Sequence, residues 1–382
     1  MIKNNIIIED TTLRDGEQAP GLAFNKKVKI DIYRALVDIG VQWLEVGIPA
    51  MGGEELEAIK CIKDMAINDN VTAIAWNRGV LDDVAFSISL GFKAVHIGLP
   101  TSNVHLKNSI QKDRTWLLNK AKELINYAKN KDVYVSISAE DVGRTEISFL
   151  QDYACVVEEA GADRLRLSDT IGVLYPKKYQ KIIRAIKKVS SIPLQSHAHN
   201  DFGLAVANTL AALDAGAQYF HVTVNGIGER AGMPDFAQVI VALRQLHQID
   251  LGIDLSKLTR LGHLVANYSN APLYPWHPIT GTNVFAHESG IHANGTLRHS
   301  TTFEPFDADI VGGERKIVIG KHSGKNAIQH TLEHENIEVD ESLLDICLKE
   351  VRKKSMLKNT SLTMSELIDI YRHLSEKEML SY

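Results

Sequence analysis

Residues 194–224 read LQSHAHNDFGLAVANTLAALDAGAQYFHVTV. Two short strand-like runs, Leu194–His199 and Tyr219–Val224, flank a helix-like stretch that ends at Gly216. A glycine after the last helical turn is the usual left-handed cap, so the segment reads strand, helix, strand. Working outward, the same unit recurs. Further runs lie at Ile6–Asp10, Trp43–Gly47, Val71–Trp76, Ala94–Leu99, Val133–Ser138 and Arg164–Ser168. Between the first two, Val28, Ile32, Ala35, Leu36 and Ile39 share one helix face. DIGVQWLEV, SLGFKAVHI and EAGADRLRL repeat the glycine before a strand. Eight strand–helix units in about 245 residues are the arithmetic of a (β/α)8 barrel. An open doubly wound sheet suits the pattern less, because eight similar units close naturally and no GxGxxG follows the first strand. The predicted class is α/β: a (β/α)8 TIM barrel over residues 1–250, then a mainly helical C-terminal subdomain over residues 251–382.

The remaining sequence agrees with that division. Residues 250–270 read as a helix, a Pro- and His-rich stretch follows (270–295), and residues 315–382 read as two or three helices. Apolar residues make up 45% and charged residues 23% of the 382, which excludes a disordered chain or a disulfide scaffold. The net charge of −5 lacks the basic excess of a nucleic-acid binder. The three cysteines, Cys61, Cys155 and Cys347, form no CxxC, so a cysteine zinc site is not indicated. Neither a signal peptide nor a membrane span is expected, and the predicted location is cytoplasmic.

Barrel enzymes carry their chemistry at the C-terminal ends of the strands. Reading past each run gives Arg14 and Asp15, Glu45, Asn77 and Arg78, Thr101 and Ser102, Glu140 and Asp141, Asp169 and Thr170, His197 and His199, and Asn225. On a strand, residues i and i+2 point the same way, roughly 6.5 Å apart. His197 and His199 can therefore face the barrel interior together and bind one metal ion. A hard divalent ion also wants oxygen ligands. Asp15 is the best candidate, since strands 1 and 7 both flank strand 8. Asn225 could add a carbonyl oxygen, or could simply be a turn residue. Arg14 offers a planar fork for a carboxylate or enolate oxygen, or a salt bridge to its neighbour. Glu140 in a barrel mouth can accept a proton, while Asp141 suits a helix N-terminus. Thr170 can bind a substrate oxygen or cap a helix. His287 and His292 are five apart, so they are not a HExxH zinc pair, but a histidine folded over the mouth can act as acid or base.

In order along the chain, DTTLRDGEQ (10–18), EDVGRT (140–145), SDTIG (168–172), HAHNDFGLAVAN (197–208) and VNGIGERAG (224–232) resemble the motifs of the metal-dependent DRE-TIM barrel enzymes. HESGIH (287–292) and VIGKHSG (318–324) narrow the resemblance to the 2-isopropylmalate and homocitrate synthases. LEVGIPAMGGEE (44–55), AIAWNR (73–78) and LPTS (99–102) look most like the nitrogen-fixation type of homocitrate synthase. The chain departs from the family pattern at Phe303, where tyrosine is common, and at Met233, where asparagine is common.

The resemblance implies an acyltransferase that condenses acetyl-CoA with 2-oxoglutarate and hydrolyses the thioester to (R)-homocitrate and CoA. Sister activities on other 2-oxo acids are the near alternatives: 2-isopropylmalate, citramalate or phosphonomethylmalate synthesis. A lyase on the same barrel is a more distant one, and a non-enzymatic oxo-acid sensor a third. By resemblance, Asp15, His197, His199 and Asn225 hold a divalent ion (Mg, Mn or Zn), and Arg14, Arg78 and Thr170 hold the oxo acid. Arg14, Glu140 and His292 are catalytic, and Gly226 and Gly228 lie near acetyl-CoA. His292 matches a residue supplied by a partner subunit, which implies a homodimer with exchanged C-terminal segments. Arg78 and His105 favour an acceptor with a charged distal group.

Overall fold

The computed structural model describes residue 2 and residues 5–380, so Met1 and Tyr382, the outer limits of the two predicted domains, lie outside the described residues. Two compact units are present, one reaching Leu273 and one starting at Tyr274. The first contains β1 (Ile7–Asp10), β2 (Trp43–Gly47), β3 (Thr72–Arg78), β4 (Ala94–Gly98), β5 (Tyr134–Glu140), β6 (Arg164–Asp169), β7 (Leu194–Ala198) and β8 (Tyr219–Val222). Each strand pairs in parallel with the next. β8 returns to β1 with Ile7 opposite Tyr219 and Asp10 opposite Val222, which closes the barrel. The predicted eight-stranded barrel is the observed one.

The connecting helices are α1 (Lys26–Ile39), α2 (Gly53–Asn68), α3 (Leu81–Ser89), α4 (Asn103–Asn108), α5 (Arg114–Lys129), α6 (Ile147–Glu159), α7 (Pro176–Ile186), α8 (Ala205–Asp214) and α9 (Phe236–His247). In α1 the Asn25 side chain accepts the Val28 N–H, and Ile32, Leu36 and Ile39 are buried. Gly40 ends it at φ 112°, where a Cβ would stand 2.6 Å from the Gly252 carbonyl oxygen. Only glycine fits both the left-handed backbone and that approach.

The barrel interior is unusual in being charged, since branched aliphatic side chains are the common filling. Side chains alternate across a strand, so in β6 Leu165 and Leu167 lie on one face and Arg164, Arg166 and Ser168 on the other. Register places Ser136 beside Arg164, Ser138 and Gln195 beside Arg166, and Glu9 beside His221, all buried. Glu9 pairs with Arg164 at 2.6 Å and Arg166 at 2.9 Å, and Glu45 pairs with Arg166 at 2.8 Å. The Arg164 guanidinium lies 4.5 Å from the Tyr219 ring and 5.6 and 5.7 Å from those of Trp43 and Tyr134. These rings stand at the strand starts, so cation–π contacts fill that end.

The sequence reading placed the change of architecture at residue 250, whereas the first unit extends to Leu273. The reason is α10 (Leu258–Tyr268), which lies on α1. The Tyr268 hydroxyl donates to Asp31 at 2.7 Å, Lys257 pairs with Asp38 at 2.9 Å, and Leu258, Leu261 and Val265 are buried.

Among the described residues the second unit has a short parallel pair, β9 (Ala286–His287) and β10 (Lys316–Ile317), and four α-helices. These are α11 (Gly290–Arg298), α12 (Lys325–His334), α13 (Leu344–Lys358) and α14 (Met364–Met379). Ile328, Leu332, Leu344, Cys347, Val351 and Leu367 make its core. Among the described residues, no helix is long and apolar enough to cross a membrane.

Candidate active site

At the C-terminal end of the barrel a cavity of about 180 Å³ is lined by side chains from β3–β7 and from the loops that follow β1, β6, β7 and β8. The chain leaving β1 turns at once: the Arg14 and Gly16 N–H groups both donate to the Thr11 carbonyl, at 3.1 and 3.0 Å. That turn aims Arg14 and Asp15 into the cavity. The Arg14 guanidinium is buried, with Nε on Glu45 and Nη1 on Asp15 Oδ2 at 2.7 Å. Burial opposes ionisation of Glu45, but Arg14 and Arg166 outweigh it and hold this carboxyl at about 2. Glu9 is likewise held low, because Arg164 and His221 outweigh burial.

His197 in β7 and His199 just past its end lie on the same face, as the i, i+2 spacing predicts. Their Nε2 atoms lie 3.3 Å apart, and His197 Nε2 lies 3.7 Å from Asp15 Oδ2. The ligand atoms of these three residues all fall within 4.8 Å of one another. Asp15 Oδ1 is buried without a hydrogen-bond partner among the described residues. Burial lowers the pKa of His197 well below the ordinary range, with His221 and His199 adding to it, and burial also lowers His199. Both imidazoles are therefore neutral, the form that offers a lone pair. One carboxylate and two imidazoles at these separations fit a single divalent ion.

Glu140 ends β5 and lines the same cavity. Burial pushes its carboxyl above the usual range, with Arg14 opposing the shift. Thr170 lines the wall, and its Oγ1 accepts the Asp141 N–H at 2.8 Å. The Gly-rich loop past β8 folds beside the end of β7, where the Asn200 N–H donates to the Gly232 carbonyl at 2.9 Å. Gly226 has φ 66° and Gly228 φ 157°, and a Cβ at Gly228 would lie 3.2 Å from Asp15 Oδ1. Asn225, at φ 60°, donates its side-chain N–H to the Gly262 carbonyl of α10 at 2.8 Å and does not line the cavity.

Arg78 departs from the expectation. Its guanidinium is exposed and forked onto Asp83 at 2.6 and 3.0 Å, off the cavity wall. The first turn of α3 puts that carboxylate within reach of the end of β3, and a long arginine takes it. His105 likewise sits against Arg144 (3.2 Å) and Asp141 (3.8 Å) rather than on the wall. His292 is exposed in the second unit, its ring stacked on Phe303 at 4.2 Å. The cavity also includes residues that reading past the strand ends missed: Trp76, His96, Arg166, Glu229 and Arg230. Charged residues alternating inside the strand run RLRLSD were the available signal for Arg166.

Residues 5–265 match the HMGL-like family, and residues 279–359 match the homocitrate synthase post-HMGL domain-like family. A 2-phosphonomethylmalate synthase of Streptomyces rubellomurinus is 56% identical, covering 97% of this chain and 99% of its own length. 2-Isopropylmalate synthase 2 of Caldanaerobacter subterraneus is 43% identical, over 97% and 96%. Homocitrate synthase 1 of Nostoc is 41% identical, over 97% of each chain. The chain belongs to the HMGL-like family, among the synthases of 2-isopropylmalate, homocitrate and 2-phosphonomethylmalate.

Proposed function

We propose that this enzyme condenses acetyl-CoA with a small 2-oxo acid bearing a second anionic group, and that its acceptor is 3-phosphonopyruvate, giving 2-phosphonomethylmalate and CoA. The carrying observation is the cavity wall. Arg14, Arg166 and Arg230, with Ser138, Ser168 and Thr170, share the wall with Asp15, Glu140 and Glu229, and Trp76 is its aromatic side. Such walls suit an anion and not a branched alkyl group. A volume of about 180 Å³ suits a small acid. The full-length likeness to a 2-phosphonomethylmalate synthase favours the phosphonate. 2-Oxoglutarate, giving (R)-homocitrate, is the second reading. It is supported by the LEVGIPAMGGEE and AIAWNR segments and by the Nostoc relative. Among the described residues no cysteine lines the cavity, and none supports the lyase alternative.

In this reading Asp15, His197 and His199 would hold a divalent ion, and the Asn225 amide would have to leave Gly262 to add its carbonyl oxygen. That ion, when bound, supplies Lewis-acid polarisation of the acceptor ketone. Glu140 or His292 takes a proton from the acetyl methyl, and the methyl carbon bonds to the keto carbon. Arg14 steadies the negative charge that develops on the former ketone oxygen. That oxygen then takes a proton, and water cleaves the thioester, releasing CoA. Thr170 orients the oxo acid, and Arg78 joins it by leaving Asp83. Gly226 and Gly228 let acetyl-CoA approach the backbone closely. His292 acts from the partner of a homodimer.

The test is kcat/KM across 3-phosphonopyruvate, 2-oxoglutarate, 2-oxoisovalerate and pyruvate. 3-Phosphonopyruvate should lead by at least tenfold. Preference for 2-oxoglutarate would install the second reading, and preference for 2-oxoisovalerate would refute the anionic pocket.

A further inference from the structure

Beneath the cavity a chain of three buried side chains leads away from His197. His197 Nδ1 lies 2.8 Å from His221 Nδ1, and His221 Nε2 lies 2.6 Å from Glu9 Oε1. Glu9 and His221 are fully buried and His197 is 5% exposed. Glu9 and His221 are register partners across the seam where β1 meets β8, so both face the interior.

We propose that Glu9 and His221 are positioning residues that fix the ring and the proton of His197 so that its Nε2 lone pair points between His199 and Asp15. The inference rests on the reading of Asp15, His197 and His199 as ion ligands. The proton positions then follow one from another. Ligation through Nε2 requires His197 to carry its proton on Nδ1. Two nitrogens 2.8 Å apart share one proton, so His221 Nδ1 accepts it. His221 then carries its own proton on Nε2, which faces Glu9. Glu9, between Arg164 and Arg166, is a carboxylate and only accepts. Every donor in the chain meets an acceptor, and the chain ends in a free lone pair at the ion site.

Glu9, Glu45 and His221 also lie close enough to be a second ion site. The arginines argue against it. Glu9 is held by Arg164 and Arg166, and Glu45 by Arg14 and Arg166. A cation placed there would meet three guanidinium groups. The cluster therefore serves as the support of a ligand and not as a site of its own. Groups that orient a ligating histidine through its second ring nitrogen typically contribute 10- to 100-fold in metal affinity.

The experiment compares wild-type enzyme, His221→Phe and His221→Asn. Mn²⁺ affinity is read by electron paramagnetic resonance, and folding of the metal-free proteins by circular dichroism and thermal unfolding. Glu9→Gln is the weaker probe, because it leaves two buried guanidinium groups short of charge. His221→Phe should bind Mn²⁺ about 10- to 100-fold more weakly. His221→Asn should fall between, since its amide oxygen can accept from His197 Nδ1–H but does not reach on to Glu9. A folded His221→Phe that binds Mn²⁺ within twofold of wild type overturns the proposal. Absence of Mn²⁺ binding by wild type overturns the ligand reading itself, and the proposal with it. Nitrogen-15 spectra of histidine-labelled enzyme with Zn²⁺ give a readout that a merely structural role would not move. They should show His221 protonated at Nε2 and His197 at Nδ1, and the reverse tautomers would refute the assignment.

Discussion

Glu140 closes β5 with its carboxyl raised by burial, and Arg14 limits the rise. A carboxylate that takes a proton must be ionised, so the rate should climb with pH through this raised value. The acid limb of kcat should therefore lie above the usual carboxylate range. Glu140→Gln should lower kcat by about 10²–10⁴ and remove that limb, with acceptor KM little changed. A limb that survives unchanged in the variant would assign it to another group. At this scale the sequence was informative where spacing dictates direction. His197 and His199 converge because they are two apart on a strand, and Asp15 joins them because its strand is two places round a closed barrel. It was uninformative where a flexible side chain chooses among neighbours. Nothing in AWNR tells that Arg78 turns to Asp83, and nothing in VNG tells that the Asn225 amide reaches Gly262.

Strands and helices were legible because their periods differ and because glycine marks several helix ends, as at Gly40, Gly91, Gly161 and Gly216. The β2 limits are as read, and others moved by one or two residues, as for β3, which runs Thr72–Arg78 and not Val71–Trp76. The stretch read as one helix over 250–270 contains a tight turn at Leu255–Lys257 before α10. The larger surprise lies inside the strands. Reading past strand ends finds the rim and overlooks the interior, where β6 carries Arg164 and Arg166 against Glu9 and Glu45. Removing Arg166 takes one of two arginines from each of Glu9 and Glu45 and leaves Arg164 and Arg14 on them. Arg166→Met should therefore lower stability by about 1–3 kcal/mol, read as a shift of the urea unfolding midpoint. A loss below about 1 kcal/mol would mean that the barrel tolerates the two carboxylates by taking up protons or water.

For the whole molecule, the two units carry different parts of the proposed chemistry. The ion ligands, Arg14 and Glu140 belong to the barrel, and His292 belongs to the second unit. If His292 serves a partner's barrel, mixing inactive Glu140→Ala with inactive His292→Ala should restore activity, approaching one quarter of wild type for random exchange into dimers with one intact site of two. No recovery, with subunit exchange verified, would remove His292 from a shared site. Substrate choice was the least legible property, because relatives 56, 43 and 41% identical act in the formation of three different products. In the proposed reading the ion and the oxo-acid head meet Asp15, His197, His199, Arg14 and Thr170, while the distal group meets a wall assembled from several strands. The most direct test of the account is release of CoA thiol from acetyl-CoA with 3-phosphonopyruvate, before and after metal removal by EDTA. The account predicts acceptor-dependent release that EDTA abolishes and Mg²⁺, Mn²⁺ or Zn²⁺ restores. Release that persists in EDTA, or no release with 3-phosphonopyruvate, 2-oxoglutarate, 2-oxoisovalerate or pyruvate, would contradict it.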